Sequence, residues 1–228
     1  MSDERFVHAW LLALEPAWRR LDGGERDADL DAFCAAADRT EQRLVQHAYS
    51  TIGLRTEGDL LLWRMADRLE TLEETAADLL ASGIGRWMHP ALSMIGLTRP
   101  SQYVKRPSPQ EQSLFEGERS AYLVVYPFVK SIDWYLTPAA ERGEVMRGHM
   151  RIGHRYPKVR QLLAYSFGLD DQEFIVAYET DDLVAFQDLV RELRESESRR
   201  ATVRDTPIVT GIHRPLGEVL QRLSGHRA

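Results

Sequence analysis

Alternating and clustered apolar positions divide this chain into two similar runs of elements. Phe6, Val7, Ala9, Trp10, Leu11, Leu12 and Leu14 read as a strand that ends at Glu15-Pro16. A Gly23-Gly24 turn and the acidic stretch Asp27 to Asp31 lead into a short helix reaching about Arg39. Strands follow near 43–54 and 58–66, then a Leu- and Glu-rich helix from about Leu69 to Leu80, broken by Gly83-Ile84-Gly85. A strand at Ala91 to Leu97 completes β-α-β-β-α-β, the ferredoxin-like order.

The second half repeats that order. A strand from Ala121 to Val129 precedes a helix at about Ala139 to Met150, strands at about 160–167 and 173–180, and a helix at 183–195. The last helix carries Leu183, Phe186, Leu189, Val190 and Leu193 at helical spacing. A final strand is expected over about 200–212, with Gly217 to Leu223 as a terminal helix. The internal match is direct in places: Tyr49-Ser50-Thr51-Ile52-Gly53-Leu54 parallels Tyr165-Ser166-Phe167-Gly168-Leu169, with a small gap at each turn. The fold expected is α+β: tandem ferredoxin-like repeats forming a dimeric α+β barrel within one chain. Residues 1–98 make the first half, 99–119 a polar, proline-broken connector, and 120–228 the second half.

Composition narrows the function. At 228 residues, 43% hydrophobic and 28% charged, the chain is an ordinary globular one with room for a sizeable core. A net charge of −6 disfavours nucleic acid as a partner. The amino terminus lacks a secretory pattern, and no stretch approaches the ~20 apolar residues of a membrane span, so the expected setting is cytoplasmic. Cys34 is alone and sits in an apolar helical stripe, which points to a buried, inert thiol.

Candidate chemistry concentrates in the second half. A period of two sets Tyr122, Val124, Tyr126, Phe128 and Lys130 on one strand face, with Pro127 able to bend that alternation. Lys130 has two readings, a tip reaching solvent or one pointing into a pocket, and Trp134-Tyr135 adds two rings close by. His149 ends the helix expected at 139–150. His149 and His154 are five apart, which does not suit a two-histidine zinc site, whereas one axial histidine is what a heme needs. The carboxylates of Gly168-Leu169-Asp170-Asp171-Gln172-Glu173 read as turn residues, solvated or self-bonded. No G-x-S-x-G, G-x-G-x-x-G or GK[ST] sequence is present.

Taken in order, Tyr126-Pro127-x-x-Lys130, Asp133-Trp134-Tyr135, Glu141-Arg142, Met146-x-x-His149, Gly153-x-x-Tyr156, Gly168-Leu169-Asp170-Asp171-x-Glu173 and Asp205-Thr206-Pro207 resemble the chlorite dismutase-like heme family. Within it they lie nearest the coproheme decarboxylase branch. The first half matches through the repeat and through Leu97-Thr98-Arg99-Pro100-Ser101-x-Tyr103-x-Lys105. The resemblance implies a heme enzyme, often pentameric. Iron coproporphyrin III would be both substrate and cofactor, hydrogen peroxide the oxidant, and heme b the product of two propionate decarboxylations.

Residue by residue, the resemblance implies His149 as the iron ligand and Glu197 as the acid bonded to its other ring nitrogen. It implies Tyr126 as the redox-active tyrosine, Lys130 as its propionate and proton partner, and Trp134 beside the macrocycle. Chlorite dismutases carry a distal arginine on the strand before Gly168, where many decarboxylases carry glutamine. Counting back gives Gln161 that position, with Arg160 on the opposite face; a one-residue slip or bulge would exchange them. Arg106 loosely matches the family's propionate-binding arginine, and Arg199 stands where its propionate-binding serine is expected.

Overall fold

The computed structural model describes residues 4–99 and 118–225, so most of the connector, Arg106 included, lies outside the described residues. The chain divides into two compact units, one holding the residues up to Thr98 and from Thr210 on, the other Arg99 to Val209.

In the first unit, β1 (Phe6–Leu14) leads to α1 (Gly23–Glu41), β2 (Val45–Ser50), β3 (Leu60–Ala66), α2 (Leu69–Leu80) and β4 (Met88–Thr98). Antiparallel pairing sets the strand order β4-β1-β3-β2. Strand alternation sends Trp10, Leu12 and Leu14 of β1 into a core with Leu60, Leu62, Phe33 and Leu79. The start of α1 is fixed by a capping box: Asp22 accepts from the Glu25 amide, and the Glu25 carboxylate accepts from the Asp22 amide. Cys34 is half-buried against this core, and burial pushes its thiol pKa up, with Asp38 and Asp31 adding to the effect.

The second unit runs β5 (Tyr122–Lys130), α3 (Ile132–Leu136), α4 (Ala139–Gly153), β6 (Arg160–Tyr165), β7 (Phe174–Thr180), α5 (Leu183–Arg194) and β8 (Thr202–Arg204). Its order, β6-β7-β5-β8, is the order of the first unit with each strand replaced by its counterpart. The turns also correspond. Gly53 and Gly168 both take φ 70°, a left-handed conformation that glycine adopts without penalty. The next amide in each, Leu54 or Leu169, donates back to the carbonyl of Thr51 or Ser166.

The final strand expected over 200–212 is split into β8 and β9 (Val209–His213). Pro207 lies in the gap, and a proline has no N–H to give a ladder. From Thr210 the chain belongs to the first unit, which corrects the expected boundary that gave everything after 120 to the second half. Two contacts account for this. Strand β9 pairs with β2 through Tyr49↔His213 and Ser50↔Ile212, and α6 (Leu216–Leu223) buries Val219, Leu220 and Leu223 in the first unit's core. Burial of each such side chain contributes roughly 2 kcal/mol.

Candidate functional site

The second unit's sheet presents an aromatic face. Register pairs Gln161 with Tyr178 and Tyr178 with Val124; one step along, Leu163 pairs with Val176 and Val176 with Tyr126. Directly paired residues share a face, so Tyr126, Tyr178 and Gln161 look the same way. The rings of Tyr126 and Tyr178 stack with centroids 6.3 Å apart. Phe186 and Leu189 of α5 pack on this face together with Ile152 and Tyr156. Burial is the main reason that the Tyr126 phenol stays protonated well above 10, with Tyr178 reinforcing it; burial likewise pushes Tyr178 up to about 12.

Arg160 faces the other way. It pairs in register with Glu179, whose side chain is wholly buried, and its Nη2 donates to the Glu179 carboxylate at 2.8 Å and to Ser120 Oγ at 2.9 Å. Arg119 lies 3.6 Å from the same carboxylate. A buried carboxylate separated from its cation would lose several kcal/mol, so Arg160 is held on that side.

His149 lies one turn from the end of α4. Its Nδ1 is 3.0 Å from Ser198 Oγ, and Nε2 has no hydrogen-bond partner among the described residues. Ser198 also serves Lys130, whose Nζ donates to the Ser198 carbonyl at 2.9 Å. The Lys130 ammonium sits 4.6 Å above the buried Trp134 ring and 5.1 Å from Phe128, so of its two readings the tip-to-solvent one is not the one observed. Burial lowers the His149 pKa to about 4, with Lys130 adding to it, so the imidazole is neutral at physiological pH, as a metal ligand must be. Burial also brings Lys130 down to about 8; Arg199 acts in the same direction and Glu173 against it.

The remaining expected residues are scattered. Glu197 does not touch His149: it is largely exposed and pairs with Arg200 at 2.9 Å. Both lie in the short 3₁₀ turn Glu197–Ala201, which points Ser198 inward and Glu197 outward. Arg199 is tied to Asp205 at 2.6 Å, an acid that Arg194 also reaches at 3.2 Å. Two contributors, Ser198 and Tyr178, escape the sequence reading, and a third, Glu173, is read there as a turn acid. Glu173 is not a solvated turn acid, for its carboxylate accepts from the Lys130 amide at 2.7 Å and the Tyr135 hydroxyl at 2.6 Å. Its neighbour Asp170 is self-bonded as expected, accepting from the Asp171 amide and Gln172. Pairing β6 and β7 in register would have found Tyr178 beside Gln161; nothing in the sequence distinguishes Ser198 from other serines.

Residues 26–214 match the model of the chlorite dismutase family. The chain belongs to this family. Among its members, the coproheme decarboxylase of Mycolicibacterium smegmatis (strain ATCC 700084 / mc(2)155) is 36% identical over 193 residues, covering 82% of each chain. Two solved family structures share the fold. Chlorite dismutase from Candidatus Nitrospira defluvii in complex with imidazole superposes with a TM-score of 0.87 at 24% identity, over 97% of this chain and 95% of that one. A variant of the same enzyme in complex with cyanide gives 0.89 at 23%, over 98% and 96%. Among the described residues, no helix is long and apolar enough to cross a membrane.

Proposed function

We propose that this family member is a peroxide-dependent coproheme decarboxylase, converting iron coproporphyrin III to heme b. One observation carries the reading over chlorite decomposition: Tyr126 and Gln161 share a face, while Arg160 is turned away and bound to Glu179. The coproheme decarboxylase of Mycolicibacterium smegmatis, at 36% identity, supports it.

The donor set suits an iron porphyrin. His149 is a neutral imidazole whose Nδ1 is already bonded, which leaves Nε2 for iron. Each propionate gives up carbon dioxide, one proton and two electrons to become a vinyl group, and one peroxide takes the electrons, that proton and one more from solvent to leave two waters. When bound, the iron porphyrin supplies the oxidising chemistry. Tyr126 contributes a protonated phenol in an apolar, aromatic setting, from which an electron and a proton leave together. Lys130 uses one of its three N–H groups on Ser198, and the others are available to hold a carboxylate. With its pKa near about 8, its Nζ can also take up and release the proton. Arg199 is a second cation for a propionate, and Trp134 walls the lysine in.

Family resemblance further implies a homo-oligomer, a pentamer, and a cytoplasmic setting. The matching strand orders and glycine turns support treating the two units as copies of one ferredoxin-like repeat. The decisive experiment adds peroxide to the coproheme-loaded protein and follows porphyrin mass. Loss of two carboxyl groups is expected; unchanged mass, or oxygen release on adding chlorite, would sink the reading.

A further inference from the structure

The hydrogen bonds behind His149 form a chain whose direction can be worked out. Ser196 Oγ lies 2.6 Å from the Leu193 carbonyl, which can only accept, so the Ser196 proton is committed there. The 2.9 Å contact between Ser196 Oγ and Ser198 Oγ must then use the Ser198 proton. Having donated, Ser198 Oγ can only accept from His149 Nδ1 at 3.0 Å, so that nitrogen carries the hydrogen and Nε2 carries the lone pair. The chain ends on the penultimate residue of α5, a twelve-residue helix whose carboxyl end bears a partial negative charge of about half an electron.

We propose that Ser198 and Ser196 are positioning residues that fix the His149 tautomer and couple its ring to the carboxyl end of α5, in the place where a carboxylate was expected. The proposal deepens the heme reading above and rests on it. A helix terminus reached through two hydroxyls withdraws the Nδ1 proton less than a full carboxylate does, which sets the donor strength of Nε2 at a moderate level. Glu197, exposed and paired with Arg200, takes no part. Lys130 steadies the same turn through the Ser198 carbonyl.

Two measurements test this. In the protein without porphyrin, nitrogen NMR of ¹⁵N-histidine-labelled chain should show His149 protonated at Nδ1; protonation at Nε2 overturns the proposal, and this needs no substitution. In the coproheme-loaded, ferrous protein, the resonance Raman iron–histidine stretch should move to lower frequency in Ser198→Ala, with coproheme affinity falling roughly tenfold. Glu197→Gln should leave the band in place. An unmoved band in Ser198→Ala, or one that moves in Glu197→Gln, overturns the relay. His149→Ala separates the two claims: if that variant binds coproheme as tightly as the parent, the heme reading fails, whereas a large loss there beside an unaffected Ser198→Ala condemns the relay alone.

Discussion

Equivalent rows of the two sheets have been put to opposite uses. In the second unit the row Gln161–Tyr178–Val124 belongs to the aromatic face that carries Tyr126. The matching row of the first unit is Gln46–Arg64–His8, with Trp10 at the position of Tyr126. Arg64 is wholly buried, yet no carboxylate pairs with it among the described residues. Its N–H groups go instead to neutral acceptors: Gln46 Oε1 at 3.1 Å, His8 Nδ1 at 3.2 Å, the Leu72 carbonyl at 3.1 Å, and Thr75 Oγ1. Because His8 Nδ1 accepts, its Nε2 is the nitrogen that donates to Ser93. Trp10 lies 5.3 Å below the guanidinium. Burial lowers the Arg64 pKa to about 10, so it is charged at neutral pH and fills with a cation the row where the other unit has a phenol. The two matching rows thus hold a sealed structural cluster in the first unit and an aromatic face with a buried phenol in the second.

The largest test of that contrast is on the second unit. Tyr126→Phe should reduce coproheme turnover on the order of 10³-fold while leaving the coproheme absorbance titration unchanged, since it removes only a transferable proton. Trp10→Phe, at the equivalent position, should leave turnover near that of the parent; comparable losses in the two would erase the asymmetry. Next in size is Arg64→Ala, which empties a buried site and strands its acceptors. A loss of about 3 kcal/mol is expected in urea denaturation, with the His149-dependent spectrum of refolded protein intact. A loss under about 1 kcal/mol would mean the cluster is dispensable.

These contrasts also mark how far the sequence could be read. Helix α2 was predicted at its observed bounds because leucines at helical spacing end at a glycine pair. The face carrying Tyr126 followed from strand alternation, and so did the opposition of Gln161 and Arg160. Arg64 was not singled out, because inside the run Leu60–Ala66 it looks like any polar strand residue; its role depends on partners from β1, β2 and α2. Ser198 was missed because a 3₁₀ turn reverses two adjacent side chains, and no periodicity reports which one faces in.

A smaller effect concerns Lys130. Its pKa of about 8 in the folded chain lies below the ordinary 10.5, so burying the ammonium costs stability below pH 8. That cost is relieved as pH rises from about 8 towards 10.5, where the unfolded chain binds more protons. Turnover should move in the opposite direction, declining as pH passes about 8 and the cation is lost. Lys130→Arg, permanently charged, should remove that decline whatever its plateau; a parent profile flat to pH 9.5 would count against a cationic role. Smallest of all, Glu197→Gln should change stability by no more than about 0.5 kcal/mol in thermal melts, as expected for an exposed ion pair.

The return of β9 and α6 to the first unit has a consequence for biosynthesis. A ribosome makes residues 4–98 early, but the core they form includes Val219, Leu220 and Leu223, which emerge last. The second unit, closed by residue 209, has all its strands beforehand. The half made first is therefore the half finished last, and its apolar surface waits uncovered while the second unit is being synthesised.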